Sequence, residues 1–194
     1  MRPHKAELRV VTAAPEDEPT AAIVERAARG DHKAFATLYR RHADMAFALL
    51  TRLVGPVSER EDLLQEVFVR LHRALPRYRG NASLSTFLYK ITVRVAYDHL
   101  RARKRRPRPV DVVDHECVLS ADGAGAPRAE LADVLRFLDA LTPEQRIAFV
   151  LREVLDYRYP EIAELVGCFE TTARMRVTAA NRALARLTRQ GSPR

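Results

Sequence analysis

YPEIAELVGCFETTARMRVTAANRALARL, residues 159–187, decides how this chain is built. Tyr159 to Val166 reads as a short helix stopped by Gly167, and Glu170-Thr171-Thr172 opens a longer helix reaching about Leu187. That order is helix, tight turn, helix. Ile162, Ala163 and Val166 supply an inward face for Ala173, Val177, Ala180 and Leu184, with Arg174, Arg176 and Arg182 outside it. From Thr171 to Arg194 there are six arginines and no acidic residue. Such a helix is drawn to phosphates, and its N-terminal residues can reach base edges in a major groove. Thr171, Thr172, Arg174, Arg176 and Arg182 are the candidate DNA contacts. The plainer alternative is a surface helix, since arginine is also a good solvated helix former.

Working back from there, Leu131, Val134, Leu135, Leu138 and Leu141 recur at helical spacing, and Thr142-Pro143-Glu144 restarts a helix with Thr142 as cap and Pro143 in its first turn. Upstream, Pro107, Pro109, Gly123, Gly125 and Pro127 punctuate a stretch carrying Asp111, Asp114, Glu116 and Asp122. This predicts a flexible linker over 107–128 between two small all-helical domains, 21–106 and 129–187. The first twenty residues lack periodicity and are expected as a mobile tail, and the chain ends in a short polar tail, 188–194.

In the N-terminal half, Ile23, Ala27, Ala28, Phe35, Leu38, Tyr39, Leu49, Leu50 and Leu53 repeat at three- and four-residue steps, and four principal helices are expected. Ser58 and Glu61 have capping-box spacing for a helix that runs to about Leu75 and stops at Pro76. On it Leu63, Leu64, Val67, Phe68 and Leu71 form one stripe, leaving Asp62, Gln65 and Glu66 together at i, i+3 and i+4. These three suit protein docking, the plainer alternative being a merely solvated helix face. Pairing Asp62 with Glu66 as acid and base would need a nucleophile, ligand set or phosphate loop that the sequence does not supply.

Tyr78-Arg79-Gly80-Asn81 then makes a turn, with Ser83 or Ser85 capping a long helix from about Thr86 to Lys104. Lys90, Arg94, Arg101, Arg103, Lys104, Arg105, Arg106 and Arg108 lie in a stretch whose one acid is Asp98. Tyr78, Phe87, Tyr89 and Tyr97 are interleaved, and a basic groove with ring platforms suits unstacked single-stranded bases. At least one of Phe87 and Tyr89 is expected to be a core filler instead.

Composition agrees with a polyanionic partner: 33 Lys and Arg against 25 Asp and Glu give the 194-residue chain a formal charge of +8. Nucleic acid and an anionic membrane surface both fit that balance. No apolar run approaches the roughly 20 residues a bilayer requires, and the N-terminus lacks a secretory apolar core, so a cytoplasmic protein without stable membrane insertion is expected. Cys117 and Cys168 sit in no ligand cluster, and His115 with Cys117 offers two ligands where structural zinc takes four. No metal or cofactor is expected.

Glu61-Asp62-Leu63-Leu64-Gln65-Glu66-Val67-Phe68-Val69-Arg70-Leu71, Tyr78-Arg79-Gly80 and Ser85-Thr86-Phe87-Leu88-Tyr89-Lys90-Ile91 resemble the first conserved domain of extracytoplasmic-function sigma factors, region 2 of the sigma-70 family. Leu141-Thr142-Pro143-Glu144-Gln145-Arg146, Leu151-Arg152-Glu153 and Glu161-Ile162-Ala163-Glu164 resemble their second, region 4. The resemblance implies a polymerase subunit and no enzyme. It places Asp62, Gln65 and Glu66 on the clamp of the largest RNA polymerase subunit and the C-terminal domain on the flap. It places Gly80, Asn81, Ala82, Ser83 and Leu84 around an extruded base of the promoter −10 element, Lys90, Arg94 and Arg101 along that strand, and the C-terminal candidates on the −35 element. It further implies an anti-sigma partner able to hold the protein at the inner membrane. The sequence departs from the family at His72 and Phe87, where tryptophan is common, at Arg94, where asparagine is frequent, and at the turn residues Cys168, Phe169 and Glu170. A conventional helix-turn-helix regulator with an N-terminal sensor domain is the other reading of the same helices.

Overall fold

The computed structural model describes residues 19–105 and 128–190, the second stretch with side chains from 134 to 186. Arg128 already belongs to a helix and residues 188–190 of the expected tail continue one, while residues 107–127 of the expected linker, the N-terminal tail up to residue 18, residues 191–194, His115 and Cys117 lie outside the described residues. Those residues hold eight α-helices and no strand, an all-α architecture: α1 (Thr20–Ala28), α2 (His32–Val54), α3 (Arg60–Ala74), α4 (Leu84–Arg105), α5 (Arg128–Ala140), α6 (Pro143–Phe149), α7 (Tyr159–Val166) and α8 (Glu170–Gln190). A 3-10 turn, Leu75–Arg77, extends α3, and a π turn, Val150–Val154, extends α6. Packing separates a unit containing the described residues to Leu50 with Glu59–Val95 from one containing Thr51–Ser58 with the described residues from Ala96 onward.

In the first unit the apolar spacing becomes a core of Ile23, Val24, Ala27, Leu38, Ala46, Leu49, Leu50, Val67, Phe68, Leu71, Leu88 and Val93. Aromatic rings join α2 to α3: Tyr39 lies 4.6 Å from Phe68, and Phe35 lies edge-on to Phe68 at 6.4 Å and to His72 at 5.0 Å. Asp31 caps α2 by accepting from the N–H groups of Lys33 (2.9 Å) and Ala34 (3.1 Å). The Ala34 N–H and the Arg26 guanidinium hold the Asp31 carboxyl below the usual carboxylate range.

The N-cap of α3 falls one residue after the expected Ser58. Glu59 occupies that position, its side chain making no hydrogen bond to the first turn of the helix, and Ser58 lies in the preceding turn. At α4 the choice between two serines resolves to Ser83, whose Oγ accepts from Thr86 N at 3.1 Å, so the helix begins two residues earlier than expected. Phe87 is half-buried, as is Tyr89.

In the second unit Phe137, Leu138, Leu141, Ile147, Leu151, Ile162, Ala173, Val177 and Ala180 are buried, and Phe137 meets Phe149 edge-on at 5.1 Å. Val166 and Leu184, expected on the inward faces, are half-buried. Thr142 caps α6 as expected, with Gln145 N donating to Thr142 Oγ1 at 3.2 Å and Thr142 N to Gln145 Oε1 at 3.0 Å. Arg146 is 3% exposed. Taking that charge from water is costly unless its donors are used; it donates to Asp139 Oδ1 and to the Leu53 carbonyl, each at 2.8 Å.

Candidate nucleic-acid interface

The turn of the helix-turn-helix is made by backbone chemistry. Gly167 adopts φ +73°, a left-handed conformation that costs glycine little, and both its N–H (2.9 Å) and that of Cys168 (3.0 Å) donate to the Ala163 carbonyl. This closes α7 and redirects the chain into α8. Ala173, Val177 and Ala180 bury the inner face of α8, which fixes its rotation.

Of the expected contacts on α8, Thr171, Arg174 and Arg182 are exposed, while Thr172 and Arg176 are half-buried. Arg174 already has partners in the same unit. Its guanidinium lies 3.0 Å from Glu170 Oε1 and 4.6 Å from the centre of the Tyr159 ring. Arg176 turns to another side, within electrostatic reach of Glu144 and Tyr97. Sequence reasoning missed Tyr159 as a platform, although its place at the start of α7, opposite the first turn of α8, was a usable signal. It also passed over Met175, which the structure leaves 71% exposed, and took Phe169, 82% exposed, only as a turn residue.

The loop before α4 is open at one edge and braced at the other. Gly80 has φ +72°, and a Cβ placed there would meet nothing within 4 Å. Gly80, Asn81 and Ser83 are exposed and Ala82 is half-buried. Tyr78 braces the loop by donating its hydroxyl to the Ala82 carbonyl, with its ring 5.1 Å from Phe87. Leu84 is 5% exposed and belongs to the core, so it anchors the loop from below. Lys90, half-buried, and Arg94, exposed, lie one turn apart on α4, and Arg101 is exposed further along it. Tyr97, interleaved with them in the sequence, uses its hydroxyl on Glu144 Oε1 at 2.8 Å.

On α3, Asp62 and Gln65 are exposed and Glu66 is half-buried, accepting from Arg70 Nε at 2.7 Å. Leu64, Val67, Phe68 and Leu71 are buried, which turns the acid-amide row outward. Among the described residues no group of three or more His, Cys, Asp or Glu could hold a metal ion, and no helix is long and apolar enough to cross a membrane.

The comparisons with known proteins fall on these same elements. The family model of sigma-70 region 2 matches residues 38–106, and that of sigma-70 region 4 matches residues 131–187. The RNA polymerase sigma-H factor of Pseudomonas aeruginosa is 34% identical over 173 residues, covering 84% of this chain and 90% of that protein. The ECF RNA polymerase sigma-E factor of Escherichia coli K12 is 32% identical with the same coverage, 84% and 90%. Among solved structures, CnrH in complex with the cytosolic domain of CnrY has a TM-score of 0.60 at 24% identity, covering 88% of this chain and 97% of that one. The sigma factor RpoE of Bartonella quintana, in complex with the anti-sigma factor NepR, has a TM-score of 0.58 at 21% identity, covering 82% and 99%. Both structures share the fold.

Proposed function

Because this chain belongs to the sigma-70 family of RNA polymerase sigma factors, in its extracytoplasmic-function group, we propose that its exposed faces divide the work of initiation among three contacts. As an alternative sigma factor it binds core RNA polymerase and directs promoter recognition, melting and the start of transcription. The observation that carries this is the presence of region 2 and region 4, in that order, on one chain. A conventional helix-turn-helix regulator accounts for residues 131–187 but gives no reason for a region 2 match over 38–106.

In this reading Asp62, Gln65 and Glu66 dock on the clamp coiled coil of the largest polymerase subunit through their outward carboxylates and amide. The flap receives the C-terminal domain. Gly80, Asn81, Ala82 and Ser83 form the rim of a pocket for a base extruded from the −10 element, with the Leu84 backbone below it. Extrusion costs a few kcal/mol, which pocket contacts and strand contacts must offset. Lys90, Arg94 and Arg101 neutralise the phosphates of that strand. Thr171, Thr172, Arg174, Arg176 and Arg182 hold the −35 duplex. No catalytic group is needed for this work, since the polymerase performs the chemistry. The protein acts in the cytoplasm, and an anti-sigma factor, the kind of partner bound to RpoE of Bartonella quintana, holds it inactive there or at the inner membrane.

The docking assignment is tested by titrating the protein into core polymerase and comparing it with the Asp62→Ala, Gln65→Ala, Glu66→Ala triple variant. Exposed-face substitutions change stability by about 0.5 kcal/mol or less each, so the variant folds. Its core affinity is expected to fall at least tenfold. Wild-type affinity would remove those three residues from the interface.

A further inference from the structure

The rotation of α8 identifies its outermost line. With Ala173, Val177 and Ala180 in the core, and about 100° of turn per residue, the opposite line runs through Thr171, Met175, Thr178, Arg182 and Arg186, and every one of these is exposed. It carries no acid, and Met175 in its second turn is 71% exposed. Arg174 and Arg176 flank this line rather than lie on it. Arg174 is engaged by Glu170 and Tyr159, and Arg176 is half-buried.

A helix entering a major groove presents its N-terminal turns to base edges, and the later turns stay near the backbone. On this line Thr171 and Met175 occupy the first two turns, and Arg182 and Arg186 come later. Charge and position thus match a duplex approached by the N-terminal end of α8. A thioether side chain offers a base edge no useful hydrogen bond. What it matches there is the one apolar group in the groove, the C5-methyl of thymine.

We propose that Met175 is a specificity-determining residue that packs against a thymine methyl in the −35 element, so that this factor's promoters carry a T·A pair at that position. The proposal rests on α8 being the −35 helix and adds the base that it selects. Thr171 borders the same contact, and Arg182 and Arg186 supply sequence-independent phosphate contacts that hold the register.

The test uses holoenzyme and a promoter duplex that it selects. Each −35 thymine is replaced singly by deoxyuridine, which removes only the methyl group. At one position the wild-type holoenzyme is expected to lose about fourfold in promoter occupancy, the worth of one buried methyl. The Met175→Ala holoenzyme should bind the natural promoter several-fold more weakly and be indifferent to deoxyuridine at that position, while responding normally at the others. Met175→Leu should restore the sensitivity. Additive losses, with Met175→Ala and wild type equally sensitive at every thymine, would overturn the proposal. A Met175→Ala variant impaired in core binding, with methyl discrimination intact, would overturn it in favour of a protein interface. If Arg182→Ala with Arg186→Ala leaves promoter occupancy unchanged as well, the −35 assignment of α8 itself fails, which is a different result from loss of the Met175 contact alone.

Discussion

The Arg174 guanidinium stacks over Tyr159, 4.6 Å from the ring centre, while one of its nitrogens lies 3.0 Å from Glu170 Oε1. An arginine on the helix proposed for the −35 element therefore already has an aromatic platform and an anionic partner. Both side chains of the ion pair are about half exposed, at 60% and 47%, so solvent screens it and it is worth well under about 1 kcal/mol. A phosphate can displace the carboxylate, but only in competition with it.

Glu170→Gln removes that competitor and a negative charge beside the duplex. Holoenzyme carrying it should bind promoter DNA two- to fivefold more tightly at low salt, for any −35 sequence. The slope of log affinity against log salt should steepen by about one unit as Arg174 becomes available to one more phosphate. Binding measured at four or five salt concentrations gives both quantities. Weaker binding with an unchanged slope would mean that Glu170 positions Arg174 for the duplex rather than restraining it.

At the start of α6 the reciprocal Thr142–Gln145 bonds satisfy two N–H groups that otherwise have no partner in the helix. Thr142→Ala should lower stability by about 1 kcal/mol, read as a fall in the urea midpoint, and Thr142→Ser should recover most of it. An unchanged midpoint for the alanine variant would show that water replaces the cap at no cost.

His42 gives the first unit a pH dependence. It is 9% exposed, its Nε2 meets no protein hydrogen-bond partner, and burial, with a smaller contribution from Arg41, holds its pKa below the ordinary histidine value of 6.5. The folded state thus binds its proton less readily than the unfolded chain does. This stability is fully present above pH 6.5 and is lost as pH falls through the lowered folded value. Urea midpoints should drop between pH 7.5 and pH 5.5 in wild type, and the part due to this residue should vanish in His42→Leu. Parallel pH profiles for the two proteins would exclude His42 as the source.

Much of this was legible where a residue's local chemistry decides its conformation. Gly167 must leave the helix, Thr142 and Pro143 favour a helix start, and the alternation of Ile162 and Ala163 with Ala173 and Val177 gives two faces that meet. The N-cap of α3 was placed at Ser58 from spacing alone, and the chain enters the helix through Glu59 instead. Which of Gly80, Asn81, Ala82, Ser83 and Leu84 turns inward was not legible, because a loop sequence does not reveal which side chain points down; it is Leu84. Arg146 resembles any surface arginine until Asp139 and the Leu53 carbonyl surround it. The outward line through Met175 was hidden by attention to charge. Arginines mark a DNA-binding helix, but only the packing of Ala173, Val177 and Ala180 tells which residues face away from the core.

As a sigma factor, this chain is expected to confer promoter choice on RNA polymerase through two DNA elements read at once. The most direct measurement is run-off transcription of genomic DNA by core polymerase, with and without the purified protein, with every new RNA 5′ end mapped. New starts should appear only when the protein is added, and should share one −10 and one −35 element at a fixed spacing. They should disappear with the Asp62→Ala, Gln65→Ala, Glu66→Ala variant. If the protein instead binds duplex sites without core polymerase and adds no new starts, it is a regulator and not a sigma factor.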